Sequence, residues 1–410
     1  MNYIFLFLKT LFRLFSLLLP RKKWRHSLLD LFDKIKNLYD QYYYKTLSIN
    51  EDWVVFWDGV NINGLGDNIG PVYDLLKKKK PEWKYFFVAE DKYKYDFLNK
   101  IEPQKVVYPE TPEFNKLIAK SKYYVGNTCH LTQAKKKGQV WMQLWHGTPL
   151  KDIEFTLKEA STWPEELIKN KKQIFNNHQH ISKGIKDKER MQKGFCLNSL
   201  EKTGYPRNDI LFNSDISKKS DLRKKLKIPE NKKIILYAPT YRDGSQYTKM
   251  PLDIKKMAEH FSDDFVLLLR SHFYSSGFDK KDFSEYKDFL INVSTYPELS
   301  ELLLITDILI ADYSSLITDF TCTRRPMIFY AYDIEKYKKI RGLYFDYEAE
   351  MPGPIVFDNE GLIKAINDVE KNKIKYAQKY QEFYDKYCTY EDGHAAERVV
   401  DYILEEKHNG

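Results

Sequence analysis

Three segments in the second half of the chain end an apolar run with side chains that bind anions. Lys233-Ile234-Ile235-Leu236-Tyr237 is followed by Pro239, Thr240 and Arg242, and Phe265-Val266-Leu267-Leu268-Leu269 by Arg270, Ser271 and His272. Ile308-Leu309-Ile310-Ala311 is followed by Asp312, Ser314 and Ser315. Guanidinium and imidazole donors beside paired hydroxyls suit a diphosphate. Ser314 and Ser315 stand where a helix N-cap should stand, with Asp319 one turn on. The start of such a helix offers unpaired N–H groups and the positive end of its dipole, which also favour an anion. A capping serine by itself needs no ligand; the convergence of three strand ends points to one. A fourth group differs in kind. The apolar stretch Gln139 to Leu144 runs straight into Trp145-His146-Gly147-Thr148-Pro149-Leu150-Lys151. A neutral imidazole just past a strand is placed to act as a general base, although a structural histidine would look the same in isolation.

For these groups to meet, the apolar runs must be neighbouring strands of a buried parallel sheet, since ligands of such sheets bind past the carboxyl ends. The first half of the chain has the same rhythm. Trp53–Trp57, Tyr85–Val88, Lys105–Tyr108 and Tyr123–Val125 read as strands, and Pro71–Leu76, Tyr93–Asn99 and Phe114–Ala119 as helices. The loop Asp58 to Gly70 (DGVNINGLGDNIG) can approach a ligand closely, but it does not fit the G-x-G-x-x-G fingerprint and a plain connector explains it as well. Lys77 to Lys80 read as a solvated helix end, Leu157 to Phe195 as charged and mostly helical, and Thr203 to Asp209 as a turn-rich loop carrying Arg207. A charged helical connector, Asp215 to Leu226, marks the boundary. The expected division is a membrane-associating segment over 1–48, an N-terminal α/β domain over 49–215 and a C-terminal α/β domain over 216–410.

The first of these reads as an interfacial helix. From Tyr3 to Leu19 nearly every residue is apolar, yet Lys9 and Arg13 fall on one narrow stripe with Asn2 and Ser16. A spanning helix would have to bury both charges at about 2.5–3.5 kcal/mol each. A secretory signal would place its charges first, whereas here Arg21, Lys22, Lys23 and Arg25 follow the apolar run. Such a helix lies in the headgroup region with the basic cluster against anionic lipid. A second amphipathic segment, His26 to about Tyr44, either extends that surface or packs on the first domain. The net charge of +8 suits a partner carrying phosphate without saying which. Cys129, Cys196, Cys322 and Cys388 form no C-x-x-C pair and read as reduced thiols, with neither a disulfide framework nor a metal site.

Taken together, WHGTPLK (145–151), TGYPRND (203–209), YAPTYRD (237–243), LLLRSH (267–272), DYSSLITDF (312–320), RRPMIFYAYD (324–333), RG-x-Y (341–344) and PGP (352–354) resemble, in order and spacing, the CDP-glycerol glycerophosphotransferases. These enzymes prime or extend the glycerol-phosphate and ribitol-phosphate chains of wall teichoic acid and related capsules. The resemblance runs over about residues 50 to 400. It implies a GT-B fold, with two Rossmann-like parallel-sheet domains facing a cleft and an N-terminal amphipathic membrane-binding helical segment. It implies catalysis by His146, as general base on the acceptor hydroxyl, and by His272. It implies donor contacts from Gly147, Thr148, Pro149, Leu150, Arg207, Pro239, Thr240, Arg242, Arg270, Ser271, Ser314, Ser315 and Asp319. No cofactor and no metal are expected. The implied partners are CDP-glycerol or CDP-ribitol, a polyprenyl-diphosphate-linked saccharide or growing polymer, and the anionic cytoplasmic face of the membrane; no nucleic acid is expected. His272 is followed by Phe273, where the family often has proline or tyrosine, and the segment 152–200 is divergent.

Two other readings compete. A GT-B glycosyltransferase would need a carboxylate gripping the ribose or sugar of a nucleotide sugar. A non-enzymatic basic protein that binds membranes or nucleic acid would explain the charge and the N-terminus, but not polar groups converging after three strands.

Overall fold

The computed structural model describes residues 31, 39, 42–59, 65–128, 130–240, 242, 250–271, 283–343 and 345–405. The expected interfacial helix and its basic cluster, and His272, lie outside them.

Two parallel sheets carry the molecule. The first comprises β1 (Asn50–Trp57), β2 (Lys84–Val88), β3 (Val106–Val107), β4 (Ser121–Gly126), β5 (Val140–Gln143), β6 (Gln179–Ile181) and β7 (Leu200–Glu201), in the order β3-β2-β1-β4-β5-β6-β7. The second comprises β8 (Lys233–Tyr237), β9 (Phe265–Leu269), β10 (Leu290–Asn292), β11 (Ile308–Ala311), β12 (Met327–Tyr330) and β13 (Ile355–Val356), in the order β10-β9-β8-β11-β12-β13. Both sheets are covered on both faces, which explains why their strands read as unbroken apolar runs. In β1, Val54 and Phe56 point into one core with Ile69, Val72 and Leu76, while Val55 points into another with Phe114, Ile118 and Trp141. In β8, Ile234 and Leu236 face the core that holds Leu309 and Phe329, and Ile235 and Tyr237 face the one that holds Met257 and Ile310. The two-residue period of the pleat sorts alternate side chains onto opposite faces.

In each sheet the strand order reverses once, between β1 and β4 and between β8 and β11. Such switch points open a crevice at the carboxyl ends of the strands, where ligands of open α/β sheets bind. Apart from Arg207, which follows the edge strand β7, the expected anion-binding and base residues follow strands that border these two crevices or lie next to them.

The sheets are also joined by the chain's end. The helix Ala395–Leu404 returns to the first sheet, where Val399, Val400 and Ile403 share a core with Val54, Phe56 and Tyr205. Asp209 caps it, accepting from the Ala395 and Ala396 N–H groups at 2.9 and 2.8 Å. Cys322 and Cys388 are buried free thiols with their sulfurs 3.8 Å apart. Among the described residues no helix is long and apolar enough to cross a membrane, and no group of three His, Cys, Asp or Glu side chains is placed to hold a metal ion.

Candidate active site

The base side of the site is built on an irregular turn. β5 ends at Gln143, and the Leu144 N–H reaches back to the Gly126 carbonyl at 2.7 Å. Trp145 then adopts φ 52° and Gly147 φ 139°, so two unusual backbone conformations bracket His146. A bulky residue in the left-handed region stays there only when its surroundings hold it. Asn68, fully buried, donates from Nδ2 to the Leu144 and Trp145 carbonyls at 3.0 and 2.9 Å. The Trp145 indole lies edge-on to Phe195 at 4.7 Å and 4.1 Å from the His146 ring. His146 Nδ1 lies 3.1 Å from the Asn127 carbonyl oxygen. A carbonyl can only accept, so Nδ1 carries the proton and Nε2 keeps its lone pair. Burial, helped by the Arg207 charge, pushes the imidazole below its ordinary range against opposing effects from Asn127 and Asp67. His146 is therefore neutral with Nε2 bare, the form a general base needs.

Gly147 is where this turn touches the second sheet. A Cβ there would come within 2.6 Å of Ser315 Oγ and 3.2 Å of Arg207 Nη2. Thr148 is buried, the Pro149 carbonyl accepts from Arg190 at 3.3 Å, and Leu150 packs into the second domain's core with Leu236 and Tyr313. The tract from His146 to Leu150 thus passes from one domain to the other.

The donor side separates the expected residues into two kinds. Some are occupied by internal partners. Arg207 is gripped through Nη1 by both oxygens of Asp67 at 2.9 Å and through Nη2 by Asp319 at 2.7 Å. The other Asp319 oxygen accepts from Lys183 Nζ at 2.7 Å and Asn208 Nδ2 at 3.2 Å. Although burial pushes the Asp319 carboxyl up, Arg207 and Lys183 hold it below its usual range. Lys183 also lies 3.8 Å from Glu391, which accepts from Asn208 Nδ2 at 2.7 Å; burial pushes the Glu391 carboxyl up to about 7 against the pull of Lys183. Arg242 donates to Asp312 at 2.8 Å and to Asp333 at 2.8 Å, and its guanidinium lies 4.9 Å from the rings of both Tyr313 and Tyr337. Thr240 closes that switch point with its N–H and hydroxyl on Asp312, at 2.9 and 2.6 Å. Asp319 and Arg242 hold the site's frame.

The remaining residues keep their ligand-binding capacity. Arg270 donates only to the Val293 and Tyr296 carbonyls, at 3.2 and 2.7 Å, and no carboxylate among the described residues is within ion-pair distance. Burial pulls its pKa down to about 10, so it is still a cation at neutral pH. A half-buried guanidinium held by carbonyls, with Glu298 acting on it from beyond ion-pair distance, at the end of β9 beside the switch point, is suited to an anionic ligand. Its neighbour Ser271 is held by the Ser294 hydroxyl at 2.9 Å. Pro239, Ser314 and Ser315 are partly exposed. The expected N-cap differs in detail: the helix is short, Leu316–Phe320, and Ser315 precedes it without a side-chain capping bond. Ser314 Oγ lies 3.4 Å from the Leu316 N–H. The Ser315 hydroxyl is thus not consumed by its own helix.

Asp58, Asp67, Asn68, Asn127, Lys183 and Glu391 belong to this frame and were not singled out by sequence. The available signal was positional: Asp58 and Asn127 directly follow β1 and β4, the strands that flank the first switch point.

Two parallel-sheet domains, their switch points lined by a neutral imidazole on one side and a carbonyl-held arginine with serine hydroxyls on the other, define a GT-B-type protein. The chain belongs to the CDP-Glycerol:Poly(glycerophosphate) glycerophosphotransferase family, whose profile it matches over residues 39–405. It is 32% identical over 422 residues to a teichoic acid poly(glycerol phosphate) polymerase of Staphylococcus epidermidis, covering 97% of this chain and 55% of that protein. It is 35% identical over 299 residues to a teichoic acid glycerol-phosphate transferase of Staphylococcus aureus, covering 66% of this chain and 72% of that one. Its structure is similar to that of the wall teichoic acid polymerase TagF, in a variant soaked with CDPG, with a TM-score of 0.79, 28% identity and 98% of each chain covered. The chain spans about half the length of the poly(glycerol phosphate) polymerases of S. epidermidis and Bacillus subtilis that it matches, 55% and 48%.

Proposed function

We propose that the chain transfers a glycerol-phosphate unit from CDP-glycerol to a hydroxyl of a lipid-linked acceptor, releasing CMP, in the synthesis of teichoic acid or a related wall polymer. The observation that carries this reading is His146, neutral and with Nε2 bare, on the turn that touches Ser315 of the opposite domain. Nε2 takes the acceptor hydroxyl proton, the oxygen attacks the β-phosphorus in line, and the bond to the bridging oxygen breaks so that CMP leaves with it. Arg270, His272 and the start of the helix after Ser315 bear the developing charge. Pro239 and Thr240 line the nucleotide side, with residues 49–215 receiving the acceptor and 216–410 the donor. The family assignment and the likeness to a transferase and to polymerases of glycerol phosphate support the substrate class.

The reading includes peripheral attachment at the cytoplasmic face. Its support is the stripe of Lys9 and Arg13 in an apolar run and the basic cluster after it. Removing residues 1–25 should abolish sedimentation with anionic vesicles while leaving activity on a soluble acceptor; sedimentation as before would refute the attachment.

The test of the reaction is CMP release from CDP-glycerol, and in parallel CDP-ribitol, with a polyprenyl-diphosphate-linked disaccharide as acceptor. CDP-glycerol should support release, and His146→Ala should lower it by about 100-fold or more, the range for loss of a general base. Release from CDP-ribitol alone would move the donor assignment, and no release from either would remove the reading.

A further inference from the structure

The carbonyl that sets the His146 tautomer is itself held by a buried polar chain. Trp57 and Gly126 pair in register as the last residues of β1 and β4, and Asp58 and Asn127 come next, side by side at the switch point. Both are shielded from solvent, with Asn127 at 0% and Asp58 at 3% exposure. Asn127 Nδ2 donates to Asp58 Oδ1 at 2.8 Å, and its Oδ1 accepts from the Gly59 N–H at 3.0 Å. Its own N–H reaches the Trp57 carbonyl at 3.3 Å. The segment after β1 therefore holds both ends of the Asn127 side chain, and its carbonyl oxygen goes to His146 Nδ1. Behind Asp58 lies Lys94, with Nζ 3.5 Å from Oδ2 and a side chain that is 3% exposed.

We infer that Asp58 and Asn127 are positioning residues for His146: by fixing the Asn127 carbonyl they hold the imidazole proton on Nδ1 and keep Nε2 free to take the acceptor's proton. Unrestrained histidine carries its proton mainly on Nε2, which is the wrong nitrogen for a base at this site. A strand end needs no buried ion pair to terminate it, because water or a turn satisfies its last groups. Desolvating Lys94 and Asp58 costs several kcal/mol before their attraction is counted, and what that pair secures is the side chain that aims the carbonyl. The same chain would be idle if the imidazole only packed against Trp145. The inference rests on His146 being the base, and the two can fail separately.

The experiment measures CMP release by the full chain for Asn127→Ala, for the near-isosteric Asp58→Asn, for the reciprocal double variant Asp58→Asn with Asn127→Asp, and for Asn127→Ala combined with His146→Ala. Circular dichroism melts check folding. Asn127→Ala should lower kcat by about tenfold or more, the scale for losing the group that orients a histidine, with KM for CDP-glycerol changed by less than about twofold. Its acid limb in the pH–rate profile should move to lower pH, because a carbonyl acceptor on Nδ1 favours the imidazolium. The reciprocal variant restores one hydrogen bond in the opposite direction and should regain part of the lost kcat. In the His146→Ala background, Asn127→Ala should cost nothing further, as expected for residues acting through one group. An undiminished kcat in folded Asn127→Ala, or an equal loss with and without His146, would overturn the inference. If Asn127→Ala does not fold, Asp58→Asn and the reciprocal variant carry the same comparison. Full activity of His146→Ala would instead overturn the base assignment.

Discussion

At the scale of single residues, the site depends on close approach. Gly147 sits at φ 139° with Ser315 Oγ 2.6 Å from where a Cβ would be. Gly147→Ala therefore meets both a backbone penalty of about 1–3 kcal/mol and a clash with the opposite domain. We expect at least a tenfold loss of CMP release, with part of it recovered in Gly147→Ala combined with Ser315→Gly, which clears the hydroxyl. No loss in the single variant would show that the turn and Ser315 need not touch during turnover. The motif residues were legible because their types are unusual after a strand: His146, Arg270 and the two serines stand out in an apolar context. What their charges do was not legible. Arg242 and Arg207 look alike in sequence to Arg270, but Asp312 and Asp333 neutralise the first and Asp67 and Asp319 the second. Those partners lie as far as 140 residues away in the chain, where no local pattern signals them.

At the scale of elements, the longer apolar runs were the most legible, although the two-residue β3 was also read, within Lys105–Tyr108. The five-residue runs Lys233–Tyr237 and Phe265–Leu269 coincide with β8 and β9. β6, β7, β10 and β13 have two or three residues each, too few to show a period; β6, Gln179-His180-Ile181, lies inside the stretch expected to be mostly helical. These strands exist because a neighbour supplies the pairing, as β5 does for β6. The last helix is a related case. Its apolar stripe was free to pack anywhere, and only the fold sends it to the first sheet. Ile403→Ala, about 350 residues beyond Val54 in sequence yet in the same core, should cost about 2–5 kcal/mol. Hydrogen exchange should show the loss in β1 and the helix Ile69–Lys79, and protection lost only in the second sheet would contradict this packing.

At the scale of the whole molecule, a buried charge cluster joins the domains: Lys183 and Arg207 from the first meet Asp319 from the second, with Glu391 on the chain's return path. Removing one member of such a cluster leaves the others uncompensated. Protonation acts on the fold in opposite directions at two places. Burial pushes His178 and His180 down to about 3, and His130 falls well below its ordinary value of 6.5 for the same reason. The unfolded chain then holds more protons between 6.5 and about 3, so these histidines lower stability as pH falls through that window. Glu391, raised from 4.5 to about 7, holds its extra proton in the folded state and favours it as pH falls from 7 to 4.5. Each group contributes roughly 1.4 kcal/mol per pH unit inside its window, and three histidines outweigh one glutamate. The urea midpoint should drop between about pH 6.5 and about pH 5, and Glu391→Gln should enlarge the drop. A midpoint that rises over that window would show that the histidines do not dominate.

The return of the helix Ala395–Leu404 to the first sheet also bears on how the protein is made. A ribosome delivers β1 to β7 long before it delivers Val399, Val400 and Ile403, and until then the apolar face around Val54 and Phe56 lacks its cover. Domains usually fold in the order in which they are synthesised. Here the first domain cannot complete its core until the second has emerged, so the nascent chain carries an open apolar surface until residues 395–404 are made. The two halves mature together, and a chain cut short anywhere before residue 395 leaves the first sheet's core uncovered.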